Sequence, residues 1–259
     1  MFRRTGPFLV LFSVAALLLD LSPRSLVAQE ASDASAPQPL EILVHQRSPY
    51  YERVGSGFGG LVAEPMQAAL EASGIAYRWR EVPANRQLNL VRAAPAPLCA
   101  AGWFKKPDRE LFATFSEPVY VDQPLVAVTR SDNRDVLSHT RAEDLFEDRS
   151  VRLGVKLGYS YGPVVDAMLK AAGTLTITTS QDNVGMVRMM LGRRFDYLLA
   201  SYEEAPLLIE SVGAAAEDLV EVRLDGLPEG NARYLMCSKA TPAPVIEAFN
   251  QALKSVLDR

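Results

Sequence analysis

Residues 98–128 read LCAAGWFKKPDRELFATFSEPVYVDQPLVAV, and the rest of the chain is placed from them. Leu98, Cys99, Ala100 and Ala101 are small and apolar, and Gly102 marks an exit, so 98–101 reads as a buried strand. The loop beyond it carries Trp103, Phe104, two lysines, a Pro-Asp turn and Arg109, a high density of recognition chemistry for one loop. A loop at the C-terminal end of a buried strand is where α/β sheets bind ligands. The chain then passes through Phe115-Ser116-Glu117-Pro118 and Tyr120 into a second apolar strand at 124–129, leaving one compact unit for another. The segment reads as a binding loop followed by a hinge.

Working upstream, 40–45 is a short apolar strand stopped by Gln46-Arg47-Ser48-Pro49, which sets Tyr50 at a strand end. The glycine-rich 55–60 precedes a helix with Leu61, Met66, Ala69 and Leu70 on one face and Gly74 as its stop. The Lys-Ser/Thr of a phosphate loop is missing there. With a strand at 75–82 and a helix at 85–93, the first part is β-α-β-α-β, the pattern of a parallel sheet covered by helices. Downstream, a helix at 141–146 and a strand at 151–155 lead to Gly158-Tyr159-Ser160-Tyr161-Gly162, which turns the chain into a helix at 163–172. The free N–H groups at that helix start favour an anionic group. A strand at 174–179, a helix capped by Asp182 or Asn183 and ended by Gly192, and a strand at 195–200 follow, the last delivering Ser201, Tyr202 and Glu203. Late strands at 220–224 and 234–237 and a helix at 242–257 complete two α/β lobes with a cleft between them.

The 259 residues, 48% hydrophobic, are enough for a full core. Arg3 and Arg4 before the apolar run 8–19, with Pro23, Ser25 and Ala28 after it, predict a secretory signal peptide over 1–28 and an exported, soluble protein of the periplasm. Residues 29–39 have the composition of a flexible leader. Removing 1–28 leaves 24 basic and 30 acidic side chains, net −6, which argues against nucleic acid as partner. His45 and His139 lack Cys or carboxylate partners at ligand spacing, so no metal or other cofactor is expected. Cys99 and Cys237 are either joined, as an exported pair can be, or two buried thiols. No Ser-His-Asp, Cys-His or paired-carboxylate spacing stands out.

From residue 40 onward the chain resembles the bacterial periplasmic solute-binding proteins of family 3, the polar amino-acid type of ABC transporters. The likeness lies in the order of Pro49-Tyr50, Gly60-Leu-Val-Ala-Glu64, the loop ending in Arg109, Phe115-Ser-Glu-Pro-Val-Tyr120, Leu153-Gly-Val-Lys-Leu-Gly-Tyr-Ser-Tyr-Gly162 and Gly192-Arg-Arg-Phe-Asp196. It implies a two-lobed α/β fold of type II, with lobe 1 formed by 40–120 plus 239–259, lobe 2 by 121–238, and crossovers near 119–124 and 231–238. It also implies hinge closure on a small-molecule ligand, no enzymatic activity, a monomer, and a membrane permease or sensor protein as partner. Arg109 matches the family's carboxylate-holding arginine and Ser160 a supporting hydroxyl. Tyr50, Trp103, Phe104, Tyr159, Tyr161, Ser201 and Tyr202 complete the expected ligand-binding set. Ser201 stands where relatives place a carboxylate for the ligand's ammonium group, with Glu203 or Glu204 as substitutes, so an ordinary α-amino acid is not a safe assignment. Two alternatives stay open: a prephenate- or arogenate-dehydratase-like enzyme on the same scaffold, and an accessory protein without transport role.

Overall fold

A computed structural model describes residues 38–258, in which the chain forms two five-stranded sheets and one short hairpin. The first part runs β1 (Leu40–Val44), β2 (Glu52–Val54), β3 (Gly57–Gly59), α1 (Ala63–Ala72), β4 (Tyr77–Glu81), α2 (Ala84–Ala93), β5 (Leu98–Trp103), α3 (Pro107–Glu110) and β6 (Ala113–Val121). The second runs β7 (Leu125–Arg130), α4 (Arg134–Leu137), α5 (Ala142–Glu147), β8 (Leu153–Lys156), α6 (Pro163–Ala172), β9 (Thr176–Thr179), α7 (Asn183–Leu191), β10 (Tyr197–Ser201), α8 (Ala205–Glu210) and β11 (Leu219–Val222). The chain then returns as β12 (Ala232–Ser238) and α9 (Ala243–Leu257). The first sheet has the order β4-β1-β5-β12-β6 and the second β11-β7-β10-β8-β9.

Alternation along the strands explains why each sheet has two covered faces. Ile42, Val44, Cys99 and Ala101 look toward α1 and α9, where they meet Met66, Leu70, Ile246, Phe249 and Leu253. Leu43, Leu98, Ala100 and Met236 look the other way, toward Val91 of α2 and Trp103. Each large apolar side chain so enclosed contributes about 1.5–3 kcal/mol. The second sheet is clad likewise, by α5 and α6 through Leu145, Phe146 and Val165, and by α7 and α8 through Met186, Met190 and Leu208. The expected two-lobed α/β architecture is present, and the helix at Pro163–Ala172 has the expected bounds. Among the described residues no helix is long and apolar enough to cross a membrane.

Two expectations change. Residues 113–121 form a nine-residue strand rather than a crossover. Pro118 fits within this strand because β6 lies at the sheet edge, where proline's missing N–H is tolerated. Residues 232–238 belong to the first sheet, between β5 and β6, and not to the second lobe. The chain passes between sheets at 122–124 and within 223–231, and these passages touch: the Asp122 N–H donates to the Asn231 carbonyl at 3.0 Å. Gly230 permits this approach, since a Cβ there would fall 1.4 Å from the Asp122 carbonyl oxygen. Pairing of β5 with β12 sets Cys237 opposite Cys99, and the two form a disulfide across a sequence separation of 138. The expected signal peptide lies outside the described residues, as does most of the expected leader.

Candidate functional site

Residues at or just past the C-terminal ends of β1, β5, β8 and β10 line one cavity of about 70 Å³. The first sheet supplies His45, Arg47 and Tyr51 from the turn after β1, and Ala101 to Phe104 from the end of β5, with Arg109 on α3. The second supplies Lys156 at the end of β8, the Tyr159-Ser160-Tyr161 loop, Asn183 at the start of α7, and Leu198 to Ser201 of β10. Leu125 and Arg233 come from beside the two crossovers. Parallel strands aim their C-terminal ends at such a crevice, which is why the sheet order decides where the site lies.

The lobes are tied across this crevice. Arg47 donates through Nε and Nη2 to both Glu204 oxygens, each at 2.7 Å, and Asn183 Nδ2 donates to Glu204 Oε1 at 2.7 Å. Glu204 is 1% exposed; burial pushes its carboxyl up, but the Arg47 charge and hydrogen bonds outweigh this and hold it below its usual range. The fork-to-fork geometry is the strong form of a charged pair. Further ties join Lys106 to Asp166 at 2.8 Å, the Tyr50 hydroxyl to Glu203 at 3.1 Å and His45 Nε2 to the Tyr159 oxygen at 2.7 Å. At the crossovers Arg233 Nη2 donates to Asp122 Oδ2 at 2.7 Å, and its guanidinium lies 3.9 Å from the centre of the Tyr50 ring.

Among the described residues, four cationic side chains line the cavity, Arg47, Arg109, Lys156 and Arg233, and no Asp or Glu does. Arg47 and Arg233 are neutralised from behind by Glu204 and Asp122. Arg109 makes no ion pair among the described residues: it is 5% exposed, donates to the carbonyls of Phe104 at 2.7 Å and Gly158 at 3.3 Å, and stacks on Trp103 at 4.9 Å, with Asp108 and Asp166 acting on it only through longer-range charge. Burial pulls its guanidinium below its ordinary value. Lys156 likewise has neutral partners, the Tyr159 oxygen at 3.3 Å and Asn183 Oδ1 at 3.2 Å. His45 is pushed well below its ordinary value by burial and then by Arg47, Lys156 and Arg233, so its imidazole is neutral at neutral pH.

Of the residues expected from sequence, Trp103, Phe104, Arg109, Tyr159, Ser160, Tyr161 and Ser201 line the cavity, whereas Tyr50 and Tyr202 do not. Tyr50 is fully buried beneath Arg47 and Arg233, and Tyr202 faces Arg223 at 4.2 Å. The Ser160 hydroxyl lines the cavity while donating to Asp166 Oδ2 at 2.6 Å. Ser201 donates to Asp122 at 3.2 Å. Neither glutamate substitutes for the missing ammonium partner: Glu204 is held by Arg47, and Glu203 accepts from Tyr50, Tyr120 and the Gln123 N–H outside the cavity. Sequence reasoning missed Arg47, Tyr51, Lys156 and Arg233. The only signal was their position at or beside strand ends. Among the described residues no group of three or more His, Cys, Asp or Glu is placed to hold a metal ion.

No family model matches the chain. No curated protein matches it either. Solved structures do. An ancestral arginine-binding protein bound to arginine superposes with a TM-score of 0.66 at 16% identity, covering 85% of this chain and 92% of that one. An amino-acid ABC transporter substrate-binding protein of Streptococcus pneumoniae bound to L-arginine gives 0.64 at 15%, covering 85% and 89%. An ancestral amino-acid-binding protein described as a precursor of cyclohexadienyl dehydratase gives 0.64 at 14%, covering 85% and 89%. The fold is therefore the two-lobed one of amino-acid-binding proteins of ABC transporters.

Proposed function

We propose that the chain is a solute-binding receptor of the periplasm that closes its two lobes on a small carboxylate-bearing solute and presents it to the permease of an ABC-type importer. The observation that carries this reading is the cavity itself, whose walls come from both sheets and which is flanked by direct ties from one lobe to the other. Arg109, buried and without a carboxylate partner among the described residues, is the group that receives the ligand's carboxylate, a role suited to its planar pair of donors. The lobes, 40–121 with 232–258 against 122–231, turn about the adjacent passages at 122–124 and 223–231, a hinge motion. Export by the N-terminal signal, a monomeric state and the transporter partner belong to the same proposal; a sensor protein is the other partner it allows.

The dehydratase-like alternative draws on the ancestral precursor among the similar structures. It needs a proton donor in the cavity as well as an acceptor, yet among the described residues no carboxylic acid lines the wall and His45 is held in its base form, without the imidazolium proton a general acid would give. A thermal-shift screen against amino acids, organic acids, polyamines and aromatic acids, followed by calorimetry and chemical recovery of the ligand, separates the readings. Stoichiometric binding with the ligand recovered unchanged is the expected result. Turnover would replace the receptor by an enzyme, and a blank across the panel would favour the accessory protein.

A further inference from the structure

We propose, building on the receptor reading, that the ligand is a small dicarboxylate, an acceptor-only dianion without an ammonium group. The charge of the cavity points there first. Its two neutralised cations leave Arg109 from one lobe and Lys156 from the other without a carboxylate partner among the described residues. Each lobe thus offers one cation, and one carboxylate on either end of a short ligand completes both. An α-amino acid with a neutral or basic side chain would satisfy one cation only, and every α-amino acid would bring its ammonium group among donors, because Glu204 and Asp122 are occupied by Arg47 and Arg233.

The direction of the hydrogen bonds gives the second argument. The Trp103 indole N–H can only donate, and it meets Gln87 Oε1 at 2.9 Å, which turns the amide nitrogen toward the Val82 carbonyl at 2.8 Å and His45 Nδ1 at 3.4 Å. A donor facing Nδ1 requires a lone pair there, so the imidazole proton resides on Nε2 and is given to the Tyr159 oxygen. Lys156 donates to the same oxygen. Having received two hydrogens, Tyr159 gives its own elsewhere, and its side chain lines the cavity. A chain of fixed polarity running from Trp103 through Gln87 and His45 thereby makes Tyr159 a donor toward the ligand.

Tyr51 is the third, independent observation. It lines the cavity, is 1% exposed, and its hydroxyl has no hydrogen-bond partner. Buried hydroxyls are rarely left so, and a ligand seated against the Tyr51 ring is one source of the missing partner. Against two cations and a Tyr159 donor, an acceptor fits all four. Gly102 is what admits the Tyr51 ring, since a Cβ at that positive-φ position would sit 1.4 Å from the hydroxyl oxygen.

Calorimetry on the full chain with oxalate, malonate and succinate, against glycine, alanine, glutamine and arginine at fixed ionic strength, tests the proposal. At least one dicarboxylate is expected to bind one per chain, and every amino acid about tenfold weaker or worse. Tyr51→Phe removes an unpartnered hydroxyl, so the ligand-free melting temperature should hold or rise while dicarboxylate affinity falls about tenfold. Amino-acid binding without dicarboxylate binding overturns the substrate class and leaves the receptor reading standing. A blank for the dicarboxylates overturns it too, and the receptor reading falls with it only if the amino acids and the wider panel are also blank. Unchanged affinity in Tyr51→Phe removes the Tyr51 argument and with it the acceptor-only assignment.

Discussion

Glu204→Gln strikes the strongest tie between the lobes and shows what the closed cleft costs to hold. The wild-type carboxylate takes two hydrogen bonds from Arg47 and one from Asn183, all at 2.7 Å, at 1% exposure. The amide keeps the shape but removes the charge, leaving the Arg47 guanidinium enclosed without its counter-ion. Breaking one side of a buried pair costs about 3–5 kcal/mol. If the lobes can part, Arg47 escapes part of that cost by rehydrating, so the loss appears as opening rather than unfolding. A shift of about 3 kcal/mol toward the open form is a factor of roughly 150 in its population. Small-angle scattering on the ligand-free variant should give a larger radius of gyration than wild type, and urea unfolding a reduced midpoint. Pairing it with Arg47→Met should recover part of the loss, because the double change leaves no uncompensated charge, and the cycle gives the coupling energy. Scattering and unfolding curves both superposable on wild type would refute the assignment of the pair as the latch.

Replacing Cys99 and Cys237 by serine opens a loop of sequence separation 138 and should lower unfolding stability by about 4–5 kcal/mol, read by urea titration; two alkylatable thiols in the folded, non-reduced protein would contradict the bond. Gly102→Ala drives a Cβ into the Tyr51 hydroxyl at a positive-φ site and should reduce both melting temperature and ligand affinity; a wild-type profile would mean that the Tyr51 position is not fixed. Because burial holds His45 neutral, the unfolded chain takes up its proton first, so this contribution to stability is complete above pH 6.5 and is lost as pH falls below it. The slope is about 1.4 kcal/mol per pH unit for the one proton, and His45→Gln should show a flatter stability profile than wild type below that pH; parallel profiles would contradict it.

What the sequence revealed was what local pattern controls. The helix at 163–172 and the buried run from Leu98 follow from periodicity and punctuation alone. The exit at Gly102 led to Trp103, Phe104 and Arg109, because strand ends in α/β sheets are where ligands bind. The failures share one cause, which is long-range pairing. Residues 115–120 matched a crossover, and only the sheet order reveals that they lie in β6, an edge strand where Pro118 fits. Arg47 looked like part of a turn before Pro49, yet its partner Glu204 is 157 residues away. Ser160 matched a ligand hydroxyl by position, and only the fold shows that it also donates a hydrogen bond to Asp166, one turn into the next helix. Lys156 and Tyr51 gain their meaning from the charges around them being neutralised or absent, which no local stretch encodes.

The receptor account stands or falls on Arg109. Titrating the wild-type protein and Arg109→Ala with the best ligand from the screen tests it directly: a stoichiometry of one in wild type, affinity lower by at least about tenfold in the variant with its fold retained by circular dichroism, and the ligand recovered unchanged. Equal affinity in the two proteins, or consumption of the ligand, would contradict it.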